Sequence, residues 1–331
     1  MSLASAALLS PPVLCFGLGA LACALRSNLR VPAPVFEAVS IYLLLAIGLK
    51  GGAELAETRW AEFAAPAGAA LALGLFIPLW CFVALRRLAG FGVADAASLA
   101  AHYGSVSAVT FIAVVSYLAR AGIPHEGFMN AILALMEAPA ILVALLLARM
   151  VRDRAADRAG IDAAHSAQPS LGAALREVIS SKSFVLLVGG LAIGGVIGKA
   201  GMAPVQPFFG DLFLGFLCLF LLELGIVAAE KADEAWKAGG RLLAFAIAAP
   251  LVNGGLGLLA GAAAGLSEGG AIVLATLAAS ASYIAAPAAV RLALPQANAA
   301  YALAAALAVT FPLNVVIGIP LYAALAGLIY R

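Results

Sequence analysis

Apolar runs of about 20 residues alternate with short polar or Pro/Gly-rich breaks along the whole chain. A helix of that length crosses a hydrocarbon layer of about 30 Å. The pattern predicts ten spans, at 6–25, 34–51, 61–85, 94–118, 127–148, 184–202, 207–229, 241–264, 269–290 and 299–329. The last run is long and holds Pro312 and Pro320, so a kink is expected there. One polar stretch, Arg149 to Lys182, separates spans 5 and 6. It carries Arg152, Asp153, Arg154, Asp157, Arg158, Asp162 and His165 and reads as a solvated linker. The chain thus divides into 1–149, a linker at 150–183, and 184–331.

Composition excludes the main alternatives. Hydrophobic residues make up 64% and charged residues 11% of the 331 positions, with a mean hydropathy of +1.08. A soluble domain carries about 25% charged residues. Disorder needs low hydrophobicity and high charge. An all-α polytopic membrane protein remains. The net charge of +2 comes from basic residues scattered between apolar blocks, with no stripe for nucleic acid. Lys and Arg set an orientation: 14 lie on the side of the links after spans 1, 3, 5, 7 and 9, and 5 on the other. The positive-inside rule makes the first side cytoplasmic, with the linker inside and both termini outside. The segment from Ser5 to Leu25 is signal-peptide-like, but no Lys or Arg precedes it, so it reads as the first span. Cys15, Cys23, Cys81 and Cys218 sit in apolar runs without metal or redox spacing and read as small buried hydrophobes.

The two halves resemble each other. Span 2 ends Ala46-Ile47-Gly48-Leu49 and turns polar at Glu54 and Glu57; span 7 has Glu223-Leu224-Gly225-Ile226, then Glu230 and Asp233. Gly104-Ser105-Val106-Ser107 in span 4 matches Ser280-Ala281-Ser282-Tyr283 in span 9. The links Gly122-Ile123-Pro124 and Ala293-Leu294-Pro295 follow, then Ala138-Pro139 and Phe311-Pro312. Five spans per half is odd, so the second half must be inverted, an arrangement common in secondary transporters.

The polar patches of spans 4 and 9 are the candidate site. Gly104 with its serines, and Pro287, suit helices broken at mid-membrane, which lipid tolerates only around a protein-lined site. Facing half-helix N-termini would favour an anion, and free carbonyl ends a small cation such as sodium. Ser105, Ser107, Thr110, Ser280 and Ser282 add neutral oxygens. The competing reading is close helix packing through small residues. Glu137, in the middle of span 5, can bind sodium, bind a proton or pair with a base, because a mid-membrane charge costs about 2.5–3.5 kcal/mol and so faces a cavity. Glu223 and Lys50 lie nearer span ends, where both can snorkel or pair with each other. Asn314, two residues after Pro312, can satisfy a freed carbonyl. His102 reads as a hydrogen-bonded helix residue. No nucleophile elbow, metal-binding histidine pair or phosphate loop occurs in the spans, so neither an enzyme nor an ATP-driven pump is expected, and no cofactor beyond a coupling ion.

These residues resemble the sodium-dependent bicarbonate transporter family, whose characterised members are cyanobacterial. The resemblance rests on Ile47-Gly48-Leu49-Lys50-Gly51-Gly52, Gly104 to Thr110, Met136-Glu137-Ala138-Pro139-Ala140, and Ser280 to Ala289 with Arg291, Pro295 and Asn298. It implies ten spans in two inverted repeats, with crossed, broken spans 4 and 9. Spans 3–5 and 8–10 would form a core domain and spans 1, 2, 6 and 7 a gate domain. It implies sodium-coupled bicarbonate symport across a bacterial plasma membrane, a homotrimer, and a PII-like cytosolic regulator. Substrate would be held by Gly104, Ser105, Val106, Ser107, Ser282, Tyr283 and Ile284, and the cation by Thr110, Glu137, Ser280 and Asn314. The chain departs from the family in having Tyr283 where members read Asp, Glu137 where they have Asp, and a shorter linker. Those departures keep two alternatives in view: a permease for another small organic anion, and a non-transporting sensor or scaffold.

Overall fold

The computed structural model describes residues 10–137, 139–159 and 171–331. The start of the first predicted span, Ala138, and the linker segment with Asp162 and His165 lie outside the described residues. Among those described, the chain is helical, with no strand. In order the helices are α1 (Pro11–Ala24), α2 (Ala33–Leu55), α3 (Trp60–Arg87), α4 (Val93–Gly104), α5 (Ala108–Ala121), α6 (Met129–Glu137), α7 (Pro139–Ala159), α8 (Leu171–Ile179), α9 (Lys182–Met202), α10 (Phe213–Lys237), α11 (Gly240–Ala263), α12 (Glu268–Ala279), α13 (Ala285–Ala293) and α14 (Ala299–Ile329). Among the described residues, eight helical segments are long and apolar enough to cross a membrane; α1 and α12 are shorter apolar helices.

Local chemistry sets the helix starts. Ser10 precedes Pro11 and Pro12 and accepts from Val13 N–H. Ser267 caps α12 through Gly270 N–H at 3.2 Å, and Asn298 caps α14 through Ala300 N–H at 3.0 Å. At the end of α5, Gly122 adopts φ +68°, the left-handed stop that a glycine provides without strain.

Two helix pairs pack closely through glycine. A Cβ on Gly48 of α2 would lie 2.7 Å from Leu187 O and 2.9 Å from Gly190 Cα of α9. Gly225 of α10 meets the backbone of α1 at Phe16 and Ala20 in the same way. Such backbone-to-backbone contact maximises dispersion where lipid offers no hydrophobic drive for helix association. The largest buried cluster runs through every helix from α2 to α14 and includes Tyr103, Leu99, Met136, Phe220 and Tyr322. Cross-helix polar links stiffen it: Trp80 Nε1 donates to Asn253 Oδ1 at 2.9 Å, and Tyr322 OH donates to Pro250 O at 3.0 Å.

The structure adds to some expectations and corrects others. The stretch read as a solvated linker is helical at both described ends, as α7 continues to Ala159 and α8 spans Leu171–Ile179. Polar residues fit there because a helix satisfies its own backbone whatever its side chains do. Span 10 is a continuous helix with π-helical turns at Ala305–Thr310 and Asn314–Gly318 flanking Pro312. The wider turns absorb the proline without breaking the helix. Only Cys81 of the four cysteines is buried; the other three are half-buried. Lys50 and Glu223 do not meet. Lys50 Nζ lies 5.1 Å from the ring centre of Phe213, and Glu223 Oε2 accepts from Val31 N–H at 2.9 Å.

Candidate functional site

Two helix breaks meet inside the bundle. Between α4 and α5 the chain runs extended at Ser105 and Ser107. Between α12 and α13 it leaves the helix at Ser280, with ψ 167°. Ser107 N–H donates to Ser280 Oγ at 2.9 Å, and Ser282 N–H donates to His102 O at 2.7 Å. Each break therefore satisfies backbone groups of the other. Ser280 Oγ in turn donates to Leu277 O at 2.7 Å, and Ser105 Oγ donates to Glu137 O at 2.8 Å. Buried backbone groups are paired in nearly every folded protein, and these serines do that work at the breaks.

Both second halves, α5 and α13, begin at this crossing. Ser107 Oγ accepts from Thr110 N–H at 3.2 Å, and Ser282 Oγ accepts from Ala286 N–H at 3.3 Å. The remaining N–H groups of each first turn have no intrahelical acceptor, and each helix start carries about half a positive charge. A cavity of about 10 Å³ opens here, lined by Val106, Ser107, Ala108, Glu137, Ser183, Ser282, Tyr283 and Ile284. That is room for a single water-sized species.

Unpartnered polar atoms gather around it. Glu137 is 5% exposed and its Oε2 has no hydrogen-bond partner; the buried Tyr283 hydroxyl has none either. The Tyr283 ring packs edge-on to Phe311 with centroids 6.2 Å apart, and Phe311 packs on Phe16 of α1 at 5.4 Å. A buried polar atom left alone is costly, so a native structure that keeps one invites a ligand explanation.

Of the eleven candidate residues named from sequence, the structure brings Val106, Ser107, Glu137, Ser282, Tyr283 and Ile284 to one cavity. The others stand behind it. A Cβ on Gly104 would lie 2.7 Å from Ala140 Cβ and 2.8 Å from Pro78 Cδ, so this glycine allows α4 to pack on α3 and α7. Ser105 and Ser280 have their hydroxyls engaged with backbone, and Thr110 is buried in the first turn of α5. Asn314 Nδ2 donates to Ala279 O at 2.8 Å. It does satisfy a freed carbonyl, at the end of α12 rather than beside its own Pro312. His102 Nδ1 lies 2.7 Å from Ser98 O, the expected helix bond. Ser183, from α9, is a lining residue that sequence reasoning missed. It lies at the first turn of a distant span, and no local motif marks it.

A second, wider cleft of about 550 Å³ lies where α2, α3 and the α5–α6 link come together, lined by Glu54, Glu57, Glu62, His125 and Lys199 among others. Beside it Glu126 accepts from Ser267 N–H at 2.6 Å, capping α12 from another part of the chain. At the start of α4, Asp95 Oδ1 accepts from Asn298 N–H at 2.8 Å.

Long apolar helices around two interlocked helix breaks define a multi-pass membrane protein with an internal polar site. The model of the Na+-dependent bicarbonate transporter superfamily matches residues 11–327. The chain belongs to that family, and is accordingly a transporter rather than an enzyme. No curated relative matches the chain.

Proposed function

We propose that this protein carries bicarbonate into the cell together with sodium, using ten spans arranged as two inverted five-helix repeats in a bacterial plasma membrane. The observation that carries the reading is the crossing: two half-helix starts and an unpartnered buried carboxylate facing one cavity. The anion would take the free N–H groups of α5 and α13 and the Tyr283 hydroxyl. The sodium would take Glu137 Oε2 with neighbouring hydroxyl oxygens. The cavity is too small for a planar anion with Tyr283 against Phe311, so Tyr283 swings aside as the anion is admitted.

Reciprocal contacts support the repeat. α1 packs on α10 through Gly225 as α2 packs on α9 through Gly48. Glu126, just after the first break's second half, caps the start of α12, while Asn298, just after the second's, is held by Asp95 of α4. In this reading α3–α7 and α11–α14 form a core, and α1, α2, α9 and α10 form a gate. The link between α7 and α9 is cytoplasmic and both termini face out.

Coupling has an energetic reason. An inside-negative potential opposes bicarbonate by about 2.3 kcal/mol per 100 mV, and a co-moving sodium cancels that charge. A tenfold sodium gradient then supplies about 1.4 kcal/mol. Tyr283 favours one variant of this reading, in which the cargo is another small anion with the same coupling ion. Titration of bicarbonate into purified protein, with and without sodium, tests the proposal. Sodium should tighten bicarbonate, and bicarbonate should tighten sodium by the same factor. Binding of either ion that ignores the other overturns the reading, and tighter binding of a small organic anion in the same assay selects the variant.

A further inference from the structure

Helices α1 and α10 approach each other backbone to backbone. A Cβ on Gly19 would collide with Leu222 O and lie 3.1 Å from Ile226 N. One on Gly225 would collide with Phe16 O and lie 3.0 Å from Ala20 N. The two helices run parallel: Val13, near the start of α1, shares a small cavity with Leu221, and Arg30, past its end, pairs with Glu230. Gly19 therefore faces the gap between Leu222 and Ile226. One turn earlier on both helices, the same register sets Cys15 against the gap between Cys218 and Leu222. The side chains meet there, with the Cys218 thiol within hydrogen-bonding reach of the Cys15 thiol. Both cysteines are half-buried, whereas Cys81 is buried. A disulfide needs Cα atoms about 4.4–6.8 Å apart, and helices seamed by glycine bring short side chains within that reach.

Cys15 also adjoins a line of aromatic contacts that ends at the crossing cavity. Phe16 packs on Phe311 with ring centroids 5.4 Å apart, and Phe311 packs on Tyr283 at 6.2 Å. Tyr283 lines the cavity. In the transport reading above, Tyr283 swings aside to admit the anion, so the rings behind it must yield.

We propose that Cys15 and Cys218 form a reversible disulfide that fastens α1 to α10 and slows transport when oxidised. The disulfide itself stands whatever the cargo, while its effect on uptake rests on the transport reading. An external small-molecule disulfide serves as oxidant. One cysteine thiolate attacks a sulfur of the oxidant, which forms a mixed disulfide and releases one thiol. The second cysteine then attacks the protein sulfur of that mixed disulfide, which closes the Cys15–Cys218 bond and releases the second thiol. The protein pair loses two electrons and two protons, and both leave on the two released thiols. A reducing dithiol reverses the exchange. The bond stops α1 from shifting against α10 and so holds Phe16 against Phe311.

The test uses the full chain in proteoliposomes treated with dithiodipyridine, a membrane-permeant disulfide. Non-reducing peptide mapping should recover a Cys15–Cys218 cross-link, and dithiothreitol should remove it. Thiopyridyl adducts on the separate cysteines, or no reaction at either, would overturn the proposal. Sodium-stimulated uptake of labelled bicarbonate should fall severalfold on oxidation and return on reduction. Cys15→Ser combined with Cys218→Ser should take up bicarbonate at the rate of the reduced parent and ignore the oxidant. Cys23→Ser should respond as the parent does. A cross-link that forms without slowing uptake would overturn the control of transport, as would slowing that persists in the double variant. Absence of uptake in the reduced parent would remove the transport reading and the control with it, while the mapping still decides the disulfide.

Discussion

Ser107 N–H donates to Ser280 Oγ at 2.9 Å across 173 residues of chain. This bond fastens the break between α4 and α5 to the break between α12 and α13. Two interrupted helices, each unable to satisfy its own backbone inside an apolar layer, are completed by one another. The consequence is a small buried cavity at the crossing with few free polar groups.

Ser280 should therefore matter to stability before it matters to transport. Ser280→Ala leaves the Ser107 N–H unpaired in a buried place, at a cost of about 1–3 kcal/mol. Thermal unfolding in detergent should show a lower midpoint. Ser280→Thr keeps the oxygen and should recover most of the loss. Equal midpoints for Ser280→Ala and the parent chain would deny the bond a structural role.

Ser107→Ala separates capping from binding. The hydroxyl accepts from Thr110 N–H at the start of α5 and also lines the cavity. Its loss should cost about 1 kcal/mol as a cap, and membrane expression should persist. Labelled bicarbonate uptake should fall severalfold. Uptake at the parent rate would take the Ser107 side chain out of the site.

Glu137 is the residue where stability and function should oppose each other. An unpartnered buried carboxylate is unfavourable without a cation, so Glu137→Gln should raise the unfolding midpoint in sodium-free buffer. In the parent chain, sodium should raise the midpoint by selective binding to the folded state. The Gln variant should lose that sodium response. A sodium response of equal size in both would move the cation elsewhere.

Tyr283→Phe removes a hydroxyl that has no protein partner. Stability should change by less than about 1 kcal/mol, because no hydrogen bond is lost. Bicarbonate affinity should weaken by about tenfold if that hydroxyl donates to the anion. Titration calorimetry on the two proteins measures the difference, and unchanged affinity would leave Tyr283 a packing residue against Phe311.

Much of this was legible in the sequence for physical reasons. Runs of apolar residues must be helical in lipid, so helix positions followed from length and polarity. The breaks were legible because Gly104 with its serines, and the serines around Ala281, interrupt otherwise apolar helices. Glu137 stood out because a mid-membrane acid needs a reason. What the sequence did not show depends on distance in space. Ser183 joins the cavity only because α9 passes beside it, and Ser280 and Asn314 turned out to brace backbone rather than line the cavity. The π-helical turns at Ala305–Thr310 and Asn314–Gly318, which flank Pro312, have no local signal in the sequence beyond the proline itself.

The most direct test of the central claim is uptake of labelled bicarbonate into proteoliposomes holding the full chain, with and without an inward sodium gradient. The account predicts saturable uptake that the gradient stimulates and that Glu137→Gln abolishes. Uptake that is absent, or the same with and without the gradient, in correctly inserted protein would contradict it.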